Sequence, residues 1–169
     1  GDLMEGISHE ACSLAGHLGL GKLIVLYDDN AITIDGPTSL SFTDNTPQRF
    51  QACGWNVIGP VDGHDVDAVD GAITKAKLSA QNGESRPTLI VCKTHIGKGS
   101  PNRANTAKAH GEPLGGDEIK LTREALGWPH DAFVIPQEVY EDWNAKADGQ
   151  LLVADWNQRF DAYKAAFPE

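Results

Sequence analysis

Apolar and polar positions fall in blocks along this chain, and their period changes from block to block. Between residues 6 and 20, Ile7, Ala11, Leu14, Ala15 and Leu18 recur at helical spacing beside a face of small residues. Ser8 is placed to cap that helix, and Gly19-Leu20-Gly21 ends it. Residues 23–27 are a short apolar run that stops on Asp28-Asp29-Asn30, which predicts a strand buried on both faces. Residues 30–47 are a long polar connection without a period, a length that in a compact domain goes with function or disorder. Thr46-Pro47 opens a short helix, with proline at the favoured first position. A second strand is predicted over 55–58, then a turn over 59–65. Asp65 caps a helix with an apolar face of Val66, Val69, Ile73, Ala76 and Ala80. Residues 88–92 predict a third buried strand. Helices alternating with apolar strands predict an α/β fold, a parallel sheet flanked by helices.

From 97 to 116 the chain is rich in Gly, Asn, Lys and Pro and has no period. Two helical pieces follow, around 119–126 and 137–167, separated by Pro129 and Pro136. The second is amphipathic through Val139, Trp143, Leu152, Trp156, Phe160 and Tyr163. The expected organisation is an α/β domain over 1–115 and a helical C-terminal tail over 116–169, leading toward a second domain outside this chain.

Composition narrows the function. At 169 residues there is enough chain for one domain with a core, or for a piece of a larger one. The formal charge of −10 argues against nucleic acid as a partner. No apolar run approaches the ~20 residues of a membrane span, so no membrane partner is expected. No signal-peptide pattern opens the chain, although it begins abruptly inside a motif. Cys12, Cys53 and Cys92 stand far apart with no CxxC, as free thiols do in a reducing compartment, and a cytoplasmic location is expected.

Ligands of open parallel sheets sit beyond the carboxyl ends of the strands. Asp28-Asp29-Asn30 offers oxygen donors at such an end, a set that suits Mg²⁺ or Ca²⁺, with Mg²⁺ completing its shell on phosphate oxygens. The same tripeptide also reads as an ordinary polar turn.

Several further segments bear on that choice. They are Gly1-Asp2-Leu3-Met4-Glu5-Gly6-Ile7-Ser8-His9-Glu10, Asp62-Gly63-His64-Asp65, Lys93-Thr94-His95-Ile96-Gly97-Lys98-Gly99-Ser100, Ala109-His110-Gly111-Glu112-Pro113-Leu114-Gly115 and Leu121-Thr122-Arg123-Glu124-Ala125-Leu126-Gly127-Trp128. Together they resemble the amino-terminal, diphosphate-binding domain of the transketolase family, over essentially the whole chain.

The resemblance implies a thiamine-diphosphate-binding fold of the diphosphate type, with thiamine diphosphate and Mg²⁺ (or Ca²⁺) as cofactors. It implies a metal held by the Asp2 carboxylate, the Asn30 side chain and the Ile32 carbonyl. His110 matches the catalytic histidine facing the diphosphate and the sugar. Ile34 and Ile96 match apolar residues that contact the cofactor. Glu5 and Glu10 match glutamates near a homodimer interface, and Lys93 a lysine beside Glu5, so Glu5 and Lys93 join the cofactor-binding set as a pair. His9, His17, His64, His95 and His130 find no catalytic match. One departure is visible: the family reads Gly-Asp-Gly-X-Leu-X-Glu-Gly, whereas this chain is two residues shorter and lacks the second glycine.

The function implied is that of a transketolase fragment, whose parent moves a two-carbon ketol unit from a ketose phosphate to an aldose phosphate. The chain alone is expected to be inactive. A related enzyme such as dihydroxyacetone synthase, or a non-catalytic half-enzyme or scaffold needing a partner chain, stays open. A Mg-nucleotide domain is disfavoured, because no Walker or GxGxxG loop is present.

Overall fold

The computed structural model describes residues 2–168, with Asp2 described by its backbone alone. By its internal contacts the chain divides into two units, residues 1–127 and 128–169.

The first unit is built on a three-stranded parallel sheet in the order β1-β5-β4, formed by β1 (Ile24–Asp29), β4 (Asn56–Asp62) and β5 (Thr88–Lys93). Two short strands, β2 (Ile32–Thr33) and β3 (Gly36–Pro37), form a separate antiparallel hairpin. Helix α1 (Gly6–His17) precedes β1, α2 (Thr46–Ala52) precedes β4, and α3 (Val66–Gln81) joins β4 to β5. The expected parallel α/β sheet is therefore present.

Alternation along β5 builds two cores. Leu89 and Val91 face Cys12 and Ala15 of α1 together with Phe50 and Trp55. Ile90 and Cys92 face Ala72 and Ala76 of α3. On the first face the Phe50 and Trp55 rings meet edge-on at 4.9 Å, and Trp55 Nε1 donates to the Cys12 carbonyl at 2.8 Å. An indole buried with its N–H satisfied carries no polar penalty.

Three sequence expectations change here. Only β5 is buried on both faces; β1 is an edge strand and leaves Leu26 48% exposed. Helix α1 buries Cys12 and Ala15 while Ile7, Leu14 and Leu18 face outward. Close approach selects the small residues: a Cβ on Gly16 would stand 1.7 Å from the Cys53 carbonyl oxygen. Ser8 lies inside α1, whose N-cap is Glu5, with no side-chain cap. The expected Asp65 cap is present, accepting from Asp67 and Ala68 N–H, and Asn45, which was not expected, caps α2 by accepting from Gln48 N–H.

Residues 30–47 also hold more structure than their composition suggests. The Thr33 hydroxyl donates to the Gly36 carbonyl and accepts from Asp35 N–H, closing the β2–β3 turn.

The helices α4 (Lys108–Gly111) and α5 (Gly116–Ala125) belong to the first unit, which thus runs past residue 115. Buried Glu118 ties α5 to the loop before it. The second unit carries α6 (Gln137–Trp143) and α7 (Lys146–Ala166), so the single helix expected over 137–167 is broken at Asn144-Ala145. On α7 a stripe of Leu152, Trp156, Phe160 and Tyr163 is exposed. No helix among the described residues is long and apolar enough to cross a membrane.

Candidate functional site

The carboxyl ends of β1, β4 and β5 open into one cavity of about 730 Å³. Asp29, Asn30 and Ile32 line it from the β1 side, Asp62 from β4, and Lys93 and His95 from β5, with Asn105 reaching in from the loop beyond. Parallel strands end together, so side chains distant in sequence converge there.

Beyond β1 the chain turns sharply. Ala31 takes φ +61°, and Asn30 Oδ1 accepts from Ile32 N–H at 3.0 Å. The hairpin pairs Ile32 with Pro37, which has no N–H, while Ile32 N–H is already spent on Asn30. Thr38 N–H reaches past that pair to the Ala31 carbonyl at 3.0 Å. Ile32 is thus at a non-hydrogen-bonded position, and its carbonyl has no acceptor role in the hairpin ladder. The result is a cavity wall with an amide oxygen keeping a second lone pair and a backbone carbonyl free of its ladder.

The two carboxylates before Asn30 have other duties. Asp28 Oδ1 accepts from the Thr94 hydroxyl, and Asp29 Oδ2 pairs with Lys93 Nζ at 2.5 Å. Both contacts tie the end of β1 to the end of β5. This corrects the expected Lys93–Glu5 pair: Lys93 is matched to Asp29, and Glu5 is an exposed residue at the start of α1. Among the described residues no three His, Cys, Asp or Glu side chains gather as a metal site.

The other expected residues are distributed as follows. Asn30, Ile32 and Lys93 line the cavity. Ile34 is exposed near the tip of the hairpin, with its Cδ1 3.8 Å from where a Cβ on Gly111 would stand. The hairpin and α4 are therefore neighbours, and His110 sits exposed on that short helix. Ile96 is half-buried, and its carbonyl accepts from Asn105 N–H at 2.9 Å. The side chain of Asp2 lies outside the described residues, as does Gly1.

Sequence reasoning passed over His64 and His95. His95 lines the cavity, its N–H donates to His64 Nε2 at 2.8 Å, and the two rings stack at 5.6 Å. His95 Nδ1 also meets Asn105 Oδ1 at 3.0 Å. The available signal was position, since each histidine follows the last residue of a strand by two places.

Cysteine chemistry stays outside the cavity. Burial pushes the Cys12 thiol up to about 12, reinforced by a hydrogen bond with Cys53. Burial likewise raises Cys92, with the Asp28 charge adding to it. Both are packing residues kept protonated.

Comparison with known proteins places the chain in a family. The family described as "Transketolase, thiamine diphosphate binding domain" matches residues 1–169. A transketolase 2 of Aliivibrio fischeri is 59% identical over 169 residues, all of this chain and 25% of that protein. A transketolase 1 of Vibrio cholerae is 58% identical over 168 residues, 99% of this chain and 25% of that protein. Among solved structures, the Pichia stipitis transketolase in complex with sedoheptulose 7-phosphate superposes with a TM-score of 0.84 at 41% identity, covering 98% of this chain and 24% of that one. A Campylobacter jejuni transketolase gives 0.85 at 39% identity, covering 95% of this chain and 25% of that one. The chain spans about a quarter of the length of these relatives.

Proposed function

Because the chain belongs to the transketolase thiamine diphosphate binding domain family, we propose that its cavity holds the Mg²⁺-diphosphate end of thiamine diphosphate in a ketol-transferring enzyme. The observation that carries this reading is the pair of oxygens on the cavity wall, Asn30 Oδ1 and the Ile32 carbonyl, at the carboxyl end of a parallel sheet. Asp2, matched to the family's metal-binding aspartate, would add a carboxylate to those oxygens, a set that suits Mg²⁺ with diphosphate oxygens completing the shell. The bound cofactor supplies the carbanion chemistry that moves a two-carbon unit from a ketose phosphate to an aldose phosphate.

The protein's own part is placement and electrostatics. Ala31 at φ +61° turns Asn30 and Ile32 to one side. The Asp28–Thr94 and Asp29–Lys93 contacts hold the ends of β1 and β5 together, so the donors keep a fixed spacing. Ile34 and Ile96, matched to the family's apolar cofactor contacts, would give the cofactor apolar flanks. His110, exposed on α4 beside the hairpin, would face the diphosphate and the sugar. A homodimer contact is assigned to the start of α1, where Glu5 and Glu10 stand exposed near Ile7 and Leu14. A cytoplasmic location accords with the free thiols.

The test is a ketol-transfer assay of the full-length protein with a ketose-phosphate donor, an aldose-phosphate acceptor, cofactor and Mg²⁺. Turnover is expected, with His110→Ala lowering it while the protein stays folded by circular dichroism. Full activity in that variant would remove His110 from the site, and no turnover in the unsubstituted protein would refute the reading.

A further inference from the structure

The region between β5 and α5 has almost no apolar packing, yet it supplies Asn105 to the cavity and carries His110. What holds it is polar. Glu118, on α5, is the one buried charged side chain among the described residues. Its Oε1 accepts from the buried Ser100 hydroxyl and from Asn102 N–H at 2.8 Å, and its Oε2 from Asn102 Nδ2 at 2.9 Å. Ser100 Oγ accepts in turn from Arg103 N–H at 3.1 Å.

The constraint passes onward along the chain. Asn105, at φ +58°, returns its N–H to the Ile96 carbonyl and meets the His95 ring with its side chain. Arg103 pairs with Glu112 at 3.0 Å, just past α4. Two glycines let the loop close. A Cβ on Gly97 would stand 2.9 Å from Ala109 Cβ, and one on Gly99 2.6 Å from the Leu126 side chain.

We propose that Glu118 is a positioning residue for the cofactor site: through Ser100 and Asn102 it fixes residues 97–111 and so sets where Asn105, His95 and His110 stand. A carboxylate suits this task because it accepts several hydrogen bonds at once and donates none. A buried charge is retained only where it is fully bonded, as it is here. The Ser100 and Asn102 bonds, together with the nearby Arg103 charge, hold the Glu118 carboxyl at about 2, so it stays ionised through the working pH range. The inference rests on the cofactor reading for its consequence, but not for the loop contact itself.

The experiment is hydrogen–deuterium exchange on the ligand-free full-length protein, as unsubstituted, Glu118→Ala and Glu118→Gln forms, followed by calorimetric titration of Mg²⁺ with thiamine diphosphate. Glu118→Ala is expected to speed exchange over 97–111 on the order of 10-fold or more while residues 88–93 keep their protection. Cofactor affinity is expected to fall with it. Glu118→Gln restores most of both, because its oxygen still serves Ser100 and Asn102 N–H while the Asn102 amide can turn to accept from the new NH₂. Exchange over 97–111 that is unchanged in Glu118→Ala, or that rises equally over 88–93, would overturn the proposal. So would faster exchange with no change in cofactor affinity, since Glu118 would then be a stabilising residue alone. If the unsubstituted protein binds no cofactor, the reading of the site fails, and the exchange data still decide whether Glu118 fixes the loop.

Discussion

The sheet and the loop after it solve the same problem, holding a chain segment at the cavity, with opposite physics. β5 is buried between two apolar cores, and Leu89 and Ile90 are fully inaccessible. Residues 97–111 bury one serine and are hydrogen-bonded to α5 through a single carboxylate. Apolar packing is indifferent to pH and tolerates the loss of any one polar contact. A loop organised on one ionised group depends on that group. The rigid half of the cavity therefore comes from the sheet and the adjustable half from the loop.

The largest expected effect lies in the sheet. Leu89→Ala removes a fully buried side chain from the central strand and should cost about 2–5 kcal/mol of stability. Urea unfolding checks this, and a loss below about 1 kcal/mol would mean that the sheet is not the rigid partner.

Acid should separate the two regions next. The folded Glu118 carboxyl is depressed from 4.5 to about 2, chiefly by its bonds from Ser100 and Asn102. A depressed carboxyl contributes its stability in full above its unfolded value, and that contribution is lost as pH falls toward the folded one. Between pH 4.5 and 2 the loop should open before the sheet, so hydrogen exchange, corrected for its intrinsic pH dependence, quickens over 97–111 ahead of 88–93. Loss of protection first in β5 would erase the contrast.

A smaller change is expected at the start of α3. Asp65→Ala removes an acceptor for two backbone N–H groups and should cost about 1 kcal/mol, read as a shift in the urea midpoint. The helix should persist by circular dichroism, because Ala72 and Ala76 anchor it on the sheet. The smallest effect belongs to Lys93→Met. Its pair with Asp29 is more than half exposed on the lysine side, so stability should move by no more than about 0.5 kcal/mol.

What the sequence made legible follows the same division. β5, Asp65 and the Thr46-Pro47 helix start could be read because their signals are local: an apolar run, a cap and a proline near the helix start, which the structure places one residue later than expected. The inward face of α1 could not, because its choice depends on Cys53 coming within reach of Gly16. Nor could the edge position of β1, since an apolar run reports what can be buried and strand order decides what is. Asn30 was legible as a turn residue at a strand end, whereas Ile32 came only from the family resemblance, and the hairpin explains why its carbonyl is spare. His95 carried a positional signal two places past a strand end, but the partner of Lys93 and the clamp of Glu118 on Ser100 depend on strand register and loop closure, which no local pattern encodes.

Calorimetric titration of thiamine diphosphate with Mg²⁺ into the full-length protein and its Asn30→Ala variant addresses the cavity most directly. The unsubstituted protein should bind saturably, and the variant on the order of 10-fold more weakly or worse, with a higher Mg²⁺ requirement. Equal affinity and equal Mg²⁺ dependence in the two proteins would contradict a diphosphate site built on Asn30 and Ile32.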